Sequence, residues 1–175
     1  MKPPAADGDN AHRDGFHSGG RPDRLPEGAR VVVKVGSSSL TRTDGGLDLN
    51  RIDILAGLIA GMRRRGHDVV LVSSGAVASG LAPLGLDRRP DELRLLQAAA
   101  SVGQGRLAAR WETAMSAYGL VTAQVLLTAH DVAIRSHYRT VRATFDSLLS
   151  LGAVPIINEN DAVATSEFSL GDNDR

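Results

Sequence analysis

The chain has 175 residues, enough for one domain that buries roughly 70% of the surface its unfolded form exposes. Lys and Arg together number 20, as do Asp and Glu, so no net field draws in nucleic acid or an anionic membrane surface, and neither is an expected partner. There is no Cys, which excludes disulfide frameworks, thiolate metal sites and cysteine nucleophiles, and with only 3% aromatic residues the core has to be built from Val, Leu, Ile and Ala.

Residues 1–28 are rich in Gly, Pro, Asp, Arg and His and carry neither a helical nor a strand period, so a disordered leader is expected there. The leader lacks the apolar middle of a secretory signal, and the apolar runs elsewhere fall well short of a membrane span. From Ala29, the run Arg30-Val-Val-Val-Lys34-Val-Gly36 reads as a first strand, buried on both faces and ending in Ser37-Ser38-Ser39. A lysine followed by Gly and hydroxyls is the chemistry of a phosphate loop: Gly36 lets backbone approach, Ser37 donates, and Lys34 supplies charge. The Walker A spacing is absent. An ordinary strand end whose lysine stem covers apolar surface fits these residues as well.

Asp44-Gly-Gly46 reads as a turn, and residues 47–65 as a helix with Ile52, Leu55, Leu58, Ile59 and Met62 on one face. Arg63, Arg64 and Arg65 fill its last turn, where positive charge complements the helix dipole, and this favours a solvated helix end over a nucleic-acid patch. Val69–Val72 is a second strand ending at Ser73-Ser74-Gly75. The helix expected over 76–84 would aim its first N–H groups back at that strand end, making Ser74 and Gly75 candidate contacts for a carboxylate or phosphate. Close packing of small residues is the alternative. No G-x-S-x-G elbow is present, which argues against a serine hydrolase.

A long helix is expected over 91–118, with Asp91 and Glu92 in its first turn and Leu93, Leu96, Ala100, Leu107 and Trp111 along its apolar stripe. Gly103-Gln-Gly105 does not follow a strand, so it marks a kink or close packing rather than a dinucleotide site. A third strand over 119–127 ends at Thr128, and a helix over 131–150 turns Val141, Phe145, Leu148 and Leu149 inward. The fourth strand, from Ala153 to Ile157, stops in Asn158-Glu159-Asn160-Asp161. A second acidic-amide cluster, Asp172-Asn173-Asp174, follows closely and is expected to line the same pocket.

Strands alternating with helices predict an α/β fold: a three-layer α/β/α domain around a mostly parallel sheet. All strand ends then lie along one edge, where ligands bind. The side chains gathered there suit a zwitterionic amino acid beside a phosphate. Asp161 can hold an ammonium, Ser74, Asn158, Asn160 and Asn173 a carboxylate, and Lys34 a phosphoryl group.

The segments Val-Val-Lys34-Val-Gly-Ser, Val-Ser-Ser74-Gly-Ala-Val, Gln124-Val-Leu-Leu-Thr, Val-Pro-Ile-Ile-Asn158-Glu-Asn-Asp161-Ala-Val-Ala-Thr and Gly171-Asp-Asn-Asp174 occur in this order over residues 30–175. Together they closely resemble the amino-acid kinase family, in its glutamate-phosphorylating branch. The resemblance implies ATP-dependent phosphorylation of the L-glutamate γ-carboxylate, the committing step of proline synthesis, with Mg²⁺, in a cytoplasmic homo-oligomer. It makes Lys34 the phosphate-contacting lysine, with Gly36 and Ser37 in the phosphate loop, and Ser74, Asp161 and Asn173 glutamate-binding residues helped by Asn158. It assigns Asp172 and Asp174 to organising the catalytic lysines and metal.

Members of that family continue for about as many residues again, with the strands and helices that hold the nucleotide and a second catalytic lysine. Residues 29–175 therefore read as the acceptor half of a truncated kinase domain. An incomplete form of a full kinase, binding ATP poorly, is the expectation. A non-catalytic amino-acid-binding or interaction module, or a related kinase with another carboxylate or carbamate acceptor, is the alternative.

Overall fold

The computed structural model describes residues 25–42 and 46–163. Four β-branched runs form the strands β1 (Arg30–Val35), β2 (Asp68–Ser73), β3 (Thr122–Leu127) and β4 (Val154–Glu159) of one parallel sheet ordered β1-β2-β4-β3. The helices between them are α1 (Ser37–Leu40), α2 (Leu49–Arg64), α3 (Ala76–Leu81), α4 (Leu93–Ser116), α5 (Ala129–Ala133) and α6 (Arg135–Ser150), with a 3-10 turn at Ala82–Leu84. Parallel strands force each connection to cross back over a face, so every strand points its carboxyl end to the same edge.

The last strand to form in sequence lies inside the sheet. Pro155 is fully buried in β4 and has no N–H to give, and the β2–β4 ladder begins only after it, at Ile156 opposite Leu71. On one face Val33 and Val35 of β1, Val69 and Leu71 of β2, and Val154 and Ile156 of β4 meet Ile52, Ala56 and Ile59 of α2 and Leu107, Trp111 and Met115 of α4. This is an aliphatic core around one indole, as the composition required. On the other face Arg30 donates to Asp146 of α6 at 3.0 Å, so helices cover both sides of the sheet.

Edge position corrects the reading of β1. It is not buried on both faces: exposure alternates along it, and Val32 is 63% exposed. A continuous Val run cannot by itself distinguish an edge strand from a central one. The helix expected over 131–150 is in fact two helices. Thr128 and Asp131 form a capping box that starts α5, and the extended backbone at Ile134 (φ −83°, ψ 119°) separates it from α6. Asp91 and Glu92 lie before α4 rather than in its first turn, with Glu92 at the N-cap. The third strand starts at Thr122, because Gly119 takes φ +70° in the turn that ends α4.

Gly103 marks close packing and no break. Helix α4 runs unbroken through it, and a Cβ there would overlap the Ala76 carbonyl, while one on Gly80 would overlap the Ala99 carbonyl. The two glycines let α3 and α4 touch backbone to backbone, which seats α3 directly behind the end of β2. Arg63 is also less solvated than its place in a basic run suggests. It donates to the His67 carbonyl and Asp68 at 3.0 Å and to the Gly152 carbonyl at 3.3 Å, clamping the edge opposite the strand ends.

Residues 1–24 of the expected leader lie outside the described residues; at its end the Pro26 carbonyl accepts from the Ala29 N–H in a turn leading to β1. Residues 43–45 are also outside, but Arg42 N–H donates to the Gly46 carbonyl and Thr41 bridges Leu47, bracketing the expected turn.

Candidate active site

A cleft of about 560 Å³ opens at the carboxyl ends of β1, β2 and β4. Lys34, Gly36, Ser37, Ser74, Asn158 and Asp161 all line it. Three separate segments are brought together by the sheet order, since β2 stands between β1 and β4. The Ser74 N–H donates to the Val35 carbonyl at 3.0 Å, which fixes the Gly36 loop beside the Ser74-Gly75 turn.

At the end of β1, Lys34 is exposed and its side chain makes no ion pair or hydrogen bond with another described residue, so its ammonium is free to meet a ligand. Gly36 caps α1 without a side-chain bond, and the first N–H groups of a helix have no partner inside it. The end of β2 is held from the core. The Trp111 indole donates to the Ser73 hydroxyl at 2.9 Å, and that hydroxyl donates to the Ser74 carbonyl at 3.2 Å. Gly75 follows at φ +107°, a left-handed conformation that an L side chain resists, above Leu40 and Leu47.

At the end of β4, Asn158 is 8% exposed and its amide is largely engaged by the protein. It donates to Gln104 of α4 and accepts from the Glu159 N–H at 3.0 Å, so its role is as much to fix the strand end as to touch a ligand. The Asn160 N–H then donates to the Leu127 carbonyl at 2.9 Å and its own carbonyl accepts from Val163 at 3.1 Å, a turn that brings Asp161 over the cleft. Burial pushes the Asp161 carboxyl up from its ordinary value, the Glu159 charge adds to this, and the Arg89 guanidinium opposes it. A half-buried carboxylate next to a second carboxylate is a receptor for a cation. A smaller recess of about 280 Å³ lies on the α4 side of the same strand end, with Gln104, Gln124 and Asn160 in its wall, and shares Glu159 and Asp161 with the cleft.

The end of β3 does not contribute as expected. Strand β3 reaches the cleft only through Leu127, and the Thr128 hydroxyl is spent on Asp131, to which it donates at 2.7 Å. Hydrogen bonds from the Thr128 side chain and backbone, together with His137, hold the Asp131 carboxyl below its usual value. Asp172, Asn173 and Asp174 lie outside the described residues. Arg89, Gln104 and the Trp111–Ser73 pair were not singled out from sequence. Gln104 stood between two glycines that drew attention to packing, and Arg89 sits in a loop with no local signature beyond Arg88-Arg89-Pro90.

A family model described as the amino acid kinase family matches residues 29–175, and the chain belongs to that family. Within it, the chain is 58% identical over 149 residues to a protein of Streptomyces coelicolor named glutamate 5-kinase, covering 85% of this chain and 40% of that protein. Proteins of the same name from Salinispora arenicola (56% over 153 residues, 87% of this chain and 42% of theirs) and Nocardia farcinica (57% over 145 residues, 83% and 40%) are similar to it as well. The chain thus spans about two fifths of the length of the curated relatives it matches.

Proposed function

We propose that the cleft is the acceptor site of an ATP-dependent kinase that phosphorylates the γ-carboxylate of L-glutamate, giving L-glutamyl 5-phosphate, the first step of proline biosynthesis. The observation that carries this reading is the convergence of Lys34, Ser74 and Asp161 on one cleft from three strand ends. The name shared by the relatives supports it.

The chemistry asks little covalent work of the protein. A γ-carboxylate is ionised at neutral pH and needs no general base. One of its oxygens forms a bond to the γ-phosphorus of ATP, the bond from that phosphorus to the β–γ bridging oxygen breaks, and ADP leaves with the electron pair. The protein aligns the two reactants and offsets charge as it shifts. Asp161 takes the substrate ammonium, Ser74 and the Asn158 region position the rest of the amino acid, and Lys34 with the Gly36-Ser37 loop neutralises the transferring group.

Among the described residues no group of three or more His, Asp or Glu could cage a metal. Mg²⁺ carried in on nucleotide phosphates needs only one or two carboxylates from the protein. Asp172 and Asp174, with Glu159 at the cleft wall, are the residues to hold it, and bound there it would screen the phosphate charge. Among the described residues no helix is long and apolar enough to cross a membrane. A cytoplasmic homo-oligomer is the form in which we expect the enzyme to work.

Calorimetric titration with L-glutamate, followed by incubation with ATP, Mg²⁺ and hydroxylamine, tests the reading. Saturable binding that Asp161→Ala markedly weakens, and trapping of the acyl phosphate as a hydroxamate at high ATP concentration, are expected. Absence of L-glutamate binding, or binding that Asp161→Ala leaves intact, would overturn it.

A further inference from the structure

The two charged groups on the α-carbon of an amino acid share one atom, so the protein groups that receive them must themselves be neighbours. Resting on the reading of the cleft as an amino-acid site, we infer that Arg89 receives the α-carboxylate and thereby makes the cleft selective for α-amino acids. Lys34 and Arg89 are the only cationic side chains lining the cleft among the described residues. Lys34 belongs to the β1 end, where the phosphoryl group is transferred, which leaves Arg89 for the other end of the substrate. Arg89 and Asp161 line the same cleft, and the Arg89 charge acts on the Asp161 carboxyl, so receptors for ammonium and carboxylate open onto one cavity.

The guanidinium is uncommitted. Arg89 is exposed and makes no hydrogen bond or ion pair with another described residue, whereas Arg30, Arg51, Arg63, Arg110 and Arg142 are all paired. Its planar fork matches a carboxylate in a bidentate way that an ammonium cannot. Its loop, between the 3-10 turn and α4, is held at its near end by Gly85 N–H to the Ala82 carbonyl and Leu86 N–H to the Leu81 carbonyl, both 3.0 Å. Pro90 restricts the Arg89 backbone toward extended conformations, which limits how far the side chain's base can wander.

The test compares L-glutamate with γ-aminobutyrate, which keeps a carboxylate and an ammonium but lacks the α-carboxylate. Titrations are run on the parent protein, Arg89→Ala, Arg89→Lys and the neighbouring control Arg88→Ala, with circular dichroism confirming that each folds. Arg89→Ala is expected to weaken L-glutamate about tenfold or more while leaving γ-aminobutyrate unchanged, in keeping with loss of a charge-assisted pair at an exposed site. Arg89→Lys should recover part of the loss and Arg88→Ala none of it should show. Equal weakening of both ligands, or no weakening of L-glutamate, overturns the assignment of Arg89 alone. Failure of the parent to bind L-glutamate overturns the amino-acid reading of the cleft and this assignment with it.

Discussion

Trp111 donates its indole N–H to the hydroxyl of Ser73 over 2.9 Å, joining the centre of the core to the last residue of β2. Both side chains are almost wholly buried, and Ser73 passes the interaction on to the Ser74 carbonyl at the cleft. Trp111→Phe removes the donor and some volume, and Ser73→Ala removes the acceptor. Each alone should cost about 1–3 kcal/mol, Ser73→Ala because the buried indole N–H is left unpaired and Trp111→Phe because the Ser73 hydroxyl loses its donor. The double variant should cost about 1 kcal/mol less than the sum, since it leaves neither group orphaned. Urea denaturation of the four proteins measures the coupling, and strict additivity would show that the bond contributes nothing.

The glycine pair that seats α3 gives a sharper contrast. In Gly103→Ala the new methyl meets the Ala76 carbonyl and the Gly80 nitrogen, both backbone atoms that cannot swing away. The loss should reach or exceed the about 1–3 kcal/mol usual for overpacking, and L-glutamate affinity should fall with it as α3 shifts behind Ser74-Gly75. Gly105→Ala is the control. A Cβ there meets nothing within 4 Å, and replacing an unstrained helical glycine should stabilise by up to about 1 kcal/mol. Thermal melts of the two variants should therefore move in opposite directions.

How much of this was legible in the sequence follows from which physical signal each feature carries. Four β-branched runs with helical periods between them fix a parallel α/β sheet, and polar residues just beyond Val35, Val72 and Ile157 point to its carboxyl edge. Order across the sheet is not written locally: that β4 enters between β2 and β3 depends on how the crossovers pack, so a local reading buries β1 on both faces and puts all four strand ends on an equal footing at the site. The break at Ile134 was also hidden, because α5 is only five residues long and carries no period of its own. Arg89 and Gln104 were missed for a third reason. Gln104 matters because it accepts from Asn158, and Arg89 because it shares the cleft with Asp161, and both partners are distant in sequence.

Asp161 ties stability to pH with a definite sign. Its carboxyl is raised in the folded protein, chiefly by burial and then by Glu159, so between its ordinary value of 3.8 and the raised one the native state holds more proton than the unfolded chain. Its contribution to stability is therefore greatest at low pH and declines as pH rises through that window. Asp161→Asn removes the buried charge and should raise the melting temperature of the ligand-free protein at neutral pH. The gap should close as the buffer is taken down toward and below the ordinary carboxylate range. L-Glutamate binding should strengthen as pH rises through the same window, since its ammonium needs an ionised partner. A variant less stable than the parent at neutral pH, or a gap that widens in acid, would contradict this account.

Lys34 and Asp161 should separate kinetically, because they serve opposite ends of the bound amino acid. Asp161 meets an ammonium whose charge is the same before and during phosphoryl transfer, so its contribution is uniform binding and Asp161→Ala should act mainly on KM for L-glutamate. Lys34 faces the group on which charge shifts as the reaction proceeds, so Lys34→Ala should lower kcat by about 10²- to 10³-fold, the scale of losing one preorganised charge-stabilising donor. Neither loss should reflect misfolding. Lys34 is exposed and unpartnered among the described residues, and removing Asp161 relieves a burial penalty. Lys34→Arg keeps the charge but not the compact ammonium, and should recover only part of the turnover. Steady-state kinetics of hydroxamate formation read the split directly: a Lys34→Ala enzyme with unchanged kcat and a raised KM would move Lys34 from the transferring phosphoryl group to the ground-state pocket.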